Sequence, residues 1–131
     1  MNPKYIEADI INSFHEGEIS EKVMNNALKI VRNISNFLYL VSYIHVLQHK
    51  TIEIEFSKSD LEIDAFFLEI GAESVGYFTQ GAFETYNDLM TTEDLFYSSI
   101  KKINLDLFKT FHKEKLLIEK SKFINIENLF N

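Results

Sequence analysis

The sequence predicts a mostly helical α+β domain. A buried central helix is expected to pack with a small sheet of two or three strands and a long C-terminal amphipathic helix. Three observations carry that expectation. Phe37–Leu47, FLYLVSYIHVL, has no formal charge apart from a possible proton on His45, and it lies within Ser20–Lys50, which contains neither Gly nor Pro. Thr51–Phe56, TIEIEF, alternates strictly between apolar and acidic side chains from Ile52 onward. Phe96, Ile100, Ile103, Leu107 and Phe111 recur at helical spacing. With 131 residues, 46% hydrophobic and 14% aromatic, the chain is read as one ordered domain, residues 1–131, able to build a core without staples.

In chain order, Asn2–Pro3 supplies an N-cap followed by Pro at the first helical position, where a missing N–H costs nothing. Ile6, Ile10 and Phe14 then share one face, and Gly17 can end the helix in a left-handed conformation. Ser20 caps the central helix. Val23, Ala27, Ile30, Ile34, Phe37, Val41 and Ile44 are spaced alternately by four and three residues, the spacing of one helical face. In its second half Leu38, Tyr39, Leu40, Tyr43, Val46 and Leu47 fill the other directions, and a helix apolar all round is buried all round. A continuous Ser20–His49 helix is about 45 Å long, against a radius of gyration of roughly 14 Å for such a domain. A break near Asn33–Asn36 is therefore expected. A buried strand is the competing assignment for Phe37–Leu47, since short apolar runs are ambiguous.

Thr51–Phe56 is a strand with Ile52, Ile54 and Phe56 on one side and Glu53 and Glu55 on the other. Ser59-Asp60-Leu61-Glu62 matches a capping box and predicts a helix to Ile70, stopped by Gly71. The apolar patch Ala65–Leu68 makes a buried strand the alternative. Ser74–Thr79 is a second strand and a partner for Thr51–Phe56, although Gly76 weakens it. Gly81 opens a short helix, Ala82–Met90. Thr91–Asp94 caps the last helix, which Leu116–Ile118 extends. Residues 123–131, FINIENLFN, are apolar enough to dock on the body as a short strand or turn.

Charge is distributed unevenly. Residues 51–94 hold eleven acids and one base, Lys58, a net of −10, and residues 95–122 hold three acids and seven lysines, a net of +4. Nucleic-acid binding fits poorly: the acidic block repels phosphates, and Arg32 is the single arginine. The absence of Cys excludes disulfides and thiolate chemistry. His45 and His49 stand four apart but lack the glutamate of a zincin motif, since position 46 is Val. Gly76 and Gly81 have the spacing of a phosphate loop, but Ala82 and Phe83 follow in place of Lys and Ser/Thr. No metal, cofactor or catalytic residue is expected. The apolar run is too short for a membrane span, which needs about 20 residues. The acidic N-terminus, MNPKYIEADIINSF, is unlike a secretion signal, so a cytoplasmic protein is expected. Ile, Asn, Lys, Phe and Tyr supply 57 residues, the usage of A/T-rich coding found in many bacteria and phages.

The residues therefore point to a small acidic protein that binds a basic protein rather than performing chemistry. The most concrete form is an immunity or inhibitor protein that neutralises a basic toxin or nuclease. The expected binding residues are Glu53, Glu55, Asp60, Glu62, Glu69, Glu73, Glu84 and Asp88, with Tyr77 and Tyr86 as anchors. The alternatives are a small enzyme or ligand-binding domain that uses buried carboxylates and His45 in a pocket, and a structural subunit of a larger assembly.

Overall fold

The computed structural model describes residues 1–58, 61–80, 87–90 and 93–112; for 61–64, 80, 87–90 and 93–97 the description is of the backbone. A 3-10 turn, Pro3–Tyr5, leads into α1 (Ile6–His15) and α2 (Glu21–Asn33). A second 3-10 stretch, Ser35–Leu40, leads into β1 (Val41–Val46), β2 (Ile52–Lys58), β3 (Leu61–Ile70), β4 (Ser74–Gln80) and β5 (Asn87–Met90), and α3 (Glu93–Phe111) follows. The strands form one antiparallel sheet in sequence order, β1-β2-β3-β4-β5.

Local chemistry sets the first helices. Asn2 Oδ1 accepts from the Lys4 amide, Ser20 Oγ accepts from the Val23 amide, and Gly17 sits at φ 75° where α1 ends. Ile6 and Ile10 on α1, and Val23, Ala27, Ile30 and Val31 on α2, are buried. Ile100, Ile103, Leu107 and Phe111 bring α3 into the same core. Three polar ties fix the helices to the rest. Asn26 Nδ2 donates to the carbonyls of Gly71 and Ala72 at 3.0 Å, Asn104 Nδ2 donates to Asn33 O at 3.0 Å, and Lys58 Nζ donates to Phe111 O at 2.8 Å. The last places a cation on the C-terminal carbonyls of a helix, where the dipole favours it.

The buried central helix is not formed. α2 stops at Asn33, within the interval where chain length argues for a break, and the strand alternative holds for Val41–Val46. Val-Ser-Tyr-Ile-His-Val is rich in β-branched and aromatic residues. β2 exposes an unpaired ladder unless another strand lies beside it. Pairing Ile44 with Ile54 and Val46 with Ile52 satisfies that ladder and adds to the apolar layer. The run is not buried all round either, since Tyr39 and Tyr43 are exposed. The hairpin closes through Leu47–Lys50, with Leu47 N donating to Thr51 O at 2.9 Å and Lys50 in the left-handed region at φ 62°.

Among the described residues the sheet has five strands instead of two or three. Leu61–Ile70 is not a helix but the central strand, paired on both sides. Its alternation changes parity along its length: Leu61 and Ile63 are followed by Phe66, Leu68 and Ile70. The β2–β3 register has an irregularity at that end, where Ser57 opposes Ala65 and Lys58 opposes Leu61. Ser74–Gln80 is a strand, but its partner is β3 and not β2. Asn87–Met90 is a strand where a short helix was expected. α3 is described to Phe111, and the extension through Leu116–Ile118 and the tail at 123–131 lie outside the described residues. The resulting class is α+β, with the helices layered on one face of a meander.

Candidate functional site

The register divides the sheet into two faces. Ile52, Ile54 and Phe56, then Phe66, Leu68 and Ile70, then Val75, Tyr77 and Thr79 form the inner face against the helices, and all nine are buried. The intervening positions form the outer face. One row across it reads His45, Glu53, Glu69, Gly76 and Asp88; the next reads Tyr43, Glu55, Phe67 and Phe78.

Adjacent strands lie about 4.8 Å apart, so Glu53 and Glu69 are direct cross-strand neighbours. Like charges in that relation destabilise a sheet. Each carboxylate has one compensating contact. His45 Nε2 lies 2.7 Å from Glu53 Oε1, and Thr51 Oγ1 donates to Glu69 Oε1 at 2.9 Å. The Glu55 carboxylate has no partner among the described residues. Beside the acids, Phe67 and Phe78 stack with centroids 4.7 Å apart and planes 13° from parallel, and Phe78 is 37% exposed. Tyr43, 55% exposed, meets His45 edge-on at 4.7 Å. Carboxylates and accessible aromatic rings thus share one face. A cationic side chain can settle there against both, since ring faces attract cations as carboxylates do.

Of the residues singled out from the sequence, Glu53, Glu55 and Glu69 come together here, and Asp88 occupies a register position in the same row beyond Gly76. Glu73 lies apart, in the turn between β3 and β4, paired with Lys22. Glu62 falls in β3, where only the backbone is described; Asp60, Glu84 and Tyr86 lie outside the described residues. Tyr77 does not reach the surface. It is 1% exposed on the inner face, stacked on Phe66, and its hydroxyl lies 2.5 Å from Asp106 Oδ2. Asp106 is half-exposed, so water can replace the lost donor, and Tyr77→Phe is therefore expected to lower stability by about 0.5–1.5 kcal/mol, the net worth of a typical hydrogen bond. The check is thermal unfolding, with partner affinity unchanged.

Tyr43, Phe67 and Phe78 were not singled out as binding residues. Phe67 follows from the parity of Glu69 once Leu61–Ile70 is a strand, and Phe78 from its alternation with Tyr77 within Ser74–Thr79. The exposed Lys101, Lys102 and Lys109 belong to α3, so the sheet separates them from the outer carboxylates.

His45 lies in β1 and His49 in the following turn, so the helical stacking of the two rings is lost. Among the described residues no group of three His, Cys, Asp or Glu gathers at metal-binding distance. A cavity of about 250 Å³ is lined by Pro3, Glu7, Val31, Arg32, Ser35 and Leu38. It does not include His45, and its two charged groups neutralise each other, with Arg32 Nε 2.5 Å from Glu7 Oε1. Among the described residues no helix is long and apolar enough to cross a membrane. No protein-family model matches the chain, and neither does any curated protein or solved structure.

Proposed function

We propose that the outer face of the sheet is a docking surface for a basic protein and that the chain acts by binding, not by chemistry. One observation carries this reading: Glu53, Glu55 and Glu69 share one face with the stacked pair Phe67–Phe78 and with Tyr43. Carboxylates repelling one another across strands are relieved when a lysine or arginine from outside settles among them, and exposed rings supply apolar area beside them. In its most concrete form the protein is an immunity or inhibitor protein of a basic toxin or nuclease, its carboxylates taking the place of nucleic-acid phosphates. A cytoplasmic location belongs to the same proposal.

Site-specific photocrosslinking tests it. A benzoylphenylalanine at Phe78 is a conservative change on the outer face, and the same group at Leu105, also exposed but on α3, is the control. In extracts of the native host, the Phe78 probe is expected to capture one basic protein that the Leu105 probe does not. Capture from Leu105 alone, or of an acidic protein, would sink the proposal.

A further inference from the structure

We propose that β1 is the edge onto which the partner adds a strand, and that the added segment is extended and alternates basic with apolar residues. This rests on the outer face being a site for a basic protein, and it goes further by naming the partner's conformation and the backbone groups that hold it.

Among the described residues β1 pairs with β2 alone, on one side. The Leu47 N to Thr51 O bond sets the alternation of the ladder. Counting back from it, Tyr43 and His45 exchange bonds with Glu55 and Glu53, and Ile44 and Val46 turn their N–H and C=O groups outward. Among the described residues no partner is found for those outward groups. Edge strands are ordinarily blunted by lysine, proline or inward charge. Val41–Val46 carries neither lysine nor proline, His45 is engaged with Glu53, and the Met1 ammonium donates to the Val41 carbonyl at 2.9 Å, at the start of the strand and away from the outward groups of Ile44 and Val46.

The two sides of this edge differ, and that difference selects the occupant. Ile44 and Val46 are only partly buried, so the inner apolar layer continues to the edge and ends there. On the outer side Tyr43 and His45 lead to Glu55 and Glu53. A strand laid along β1 would place alternate apolar side chains beside Ile44 and Val46. Its long basic side chains would cross Tyr43 toward Glu55, whose carboxylate has no other partner among the described residues. Main-chain bonds then give affinity, and the alternating side chains give specificity.

The probes are three peptides of equal charge: an alternating lysine–valine decamer, the same decamer N-methylated at alternate amides, and a helix-forming lysine–alanine decamer. Amide hydrogen exchange is read on the intact protein by NMR. The alternating decamer is expected to slow exchange at Ile44 and Val46 at least tenfold, and the other two are not. Ile44→Pro removes an outward N–H while leaving the β1–β2 ladder intact. It is expected to abolish the protection while Ile52–Phe56 exchange as slowly as in the wild type.

Equal binding of all three peptides at the outer face, without protection of Ile44 and Val46, overturns strand addition but leaves the docking face standing. Binding of none removes both. Slow exchange at Ile44 and Val46 in the free protein means the edge is already covered. If that slowing grows with protein concentration, a second copy is the occupant. Either result overturns the proposal.

Discussion

Replacing Ile54 with lysine is expected to abolish the folded state at room temperature, whereas the same charge at Tyr43 is expected to cost about 1 kcal/mol or less, as for other surface substitutions. Ile54 is fully buried in β2, between Ile44 and Leu68. Removing its side chain forfeits about 2–5 kcal/mol of packing, and confining an unpaired ammonium there costs several more. Together these match the whole stability of a typical domain, roughly 5–15 kcal/mol. Tyr43 stands at a register position opposite Glu55 and is more than half exposed. A lysine there loses the edge-on contact with His45 but gains an opposite charge across the strand pair. Circular dichroism and thermal unfolding of the two variants read the result directly. A charge at Val41 would be no substitute, because Val41 is buried in the strand and would also be buried in a central helix. If Tyr43→Lys unfolds the protein as Ile54→Lys does, Tyr43 is not at the surface and the face assignment of β1 is wrong.

What the sequence revealed and concealed follows from the range of the interactions involved. The caps at Asn2 and Ser20 are made by side chains bonding to backbone two or three residues away, so both were legible. The strand Ile52–Lys58 was legible because its own alternation states its period. Val41–Val46 was not. Val41 and Ile44 also fit a helical face, and the deciding term is a ladder to Ile52–Phe56, which no local pattern displays. Leu61–Ile70 hid behind a capping-box match, while its strand state depends on partners on both sides. That single misassignment concealed most of the candidate site. Glu53 and Glu69 become neighbours, and Phe67 joins Phe78, only when β3 lies between β2 and β4. Tyr77 illustrates the opposite error. Its place on the inner face follows from sharing parity with Val75, but the Asp106 carboxylate that accommodates its hydroxyl comes from a helix 29 positions on.

The other large effect expected is on association. Reversing Glu55 and Glu69 together to lysine should slow association with the basic partner by about tenfold or more at low ionic strength, since complementary charge raises association rates by orders of magnitude. Glu53 is left unchanged because it is only 19% exposed and holds His45, so its replacement would disturb the strand pair as well as the field. The control is the same reversal at Glu16 and Glu18, both exposed in the connection between α1 and α2. The two double variants have equal net charge and differ in where it sits. If the outer face guides the encounter, the Glu55/Glu69 variant is slowed severalfold more than the control. The gap should narrow as salt shortens the Debye length from about 30 Å at 0.01 M to about 3 Å at 1 M. Dissociation should respond differently. Phe78→Ala removes one ring of the stacked pair, so it is expected to raise the dissociation rate with little change in association, as loss of short-range contact does. Stopped-flow or surface-based kinetics across a salt series separates the two. Equal slowing by the Glu55/Glu69 and Glu16/Glu18 reversals would mean that net charge alone attracts the partner, and the outer face would lose its claim to be the docking surface.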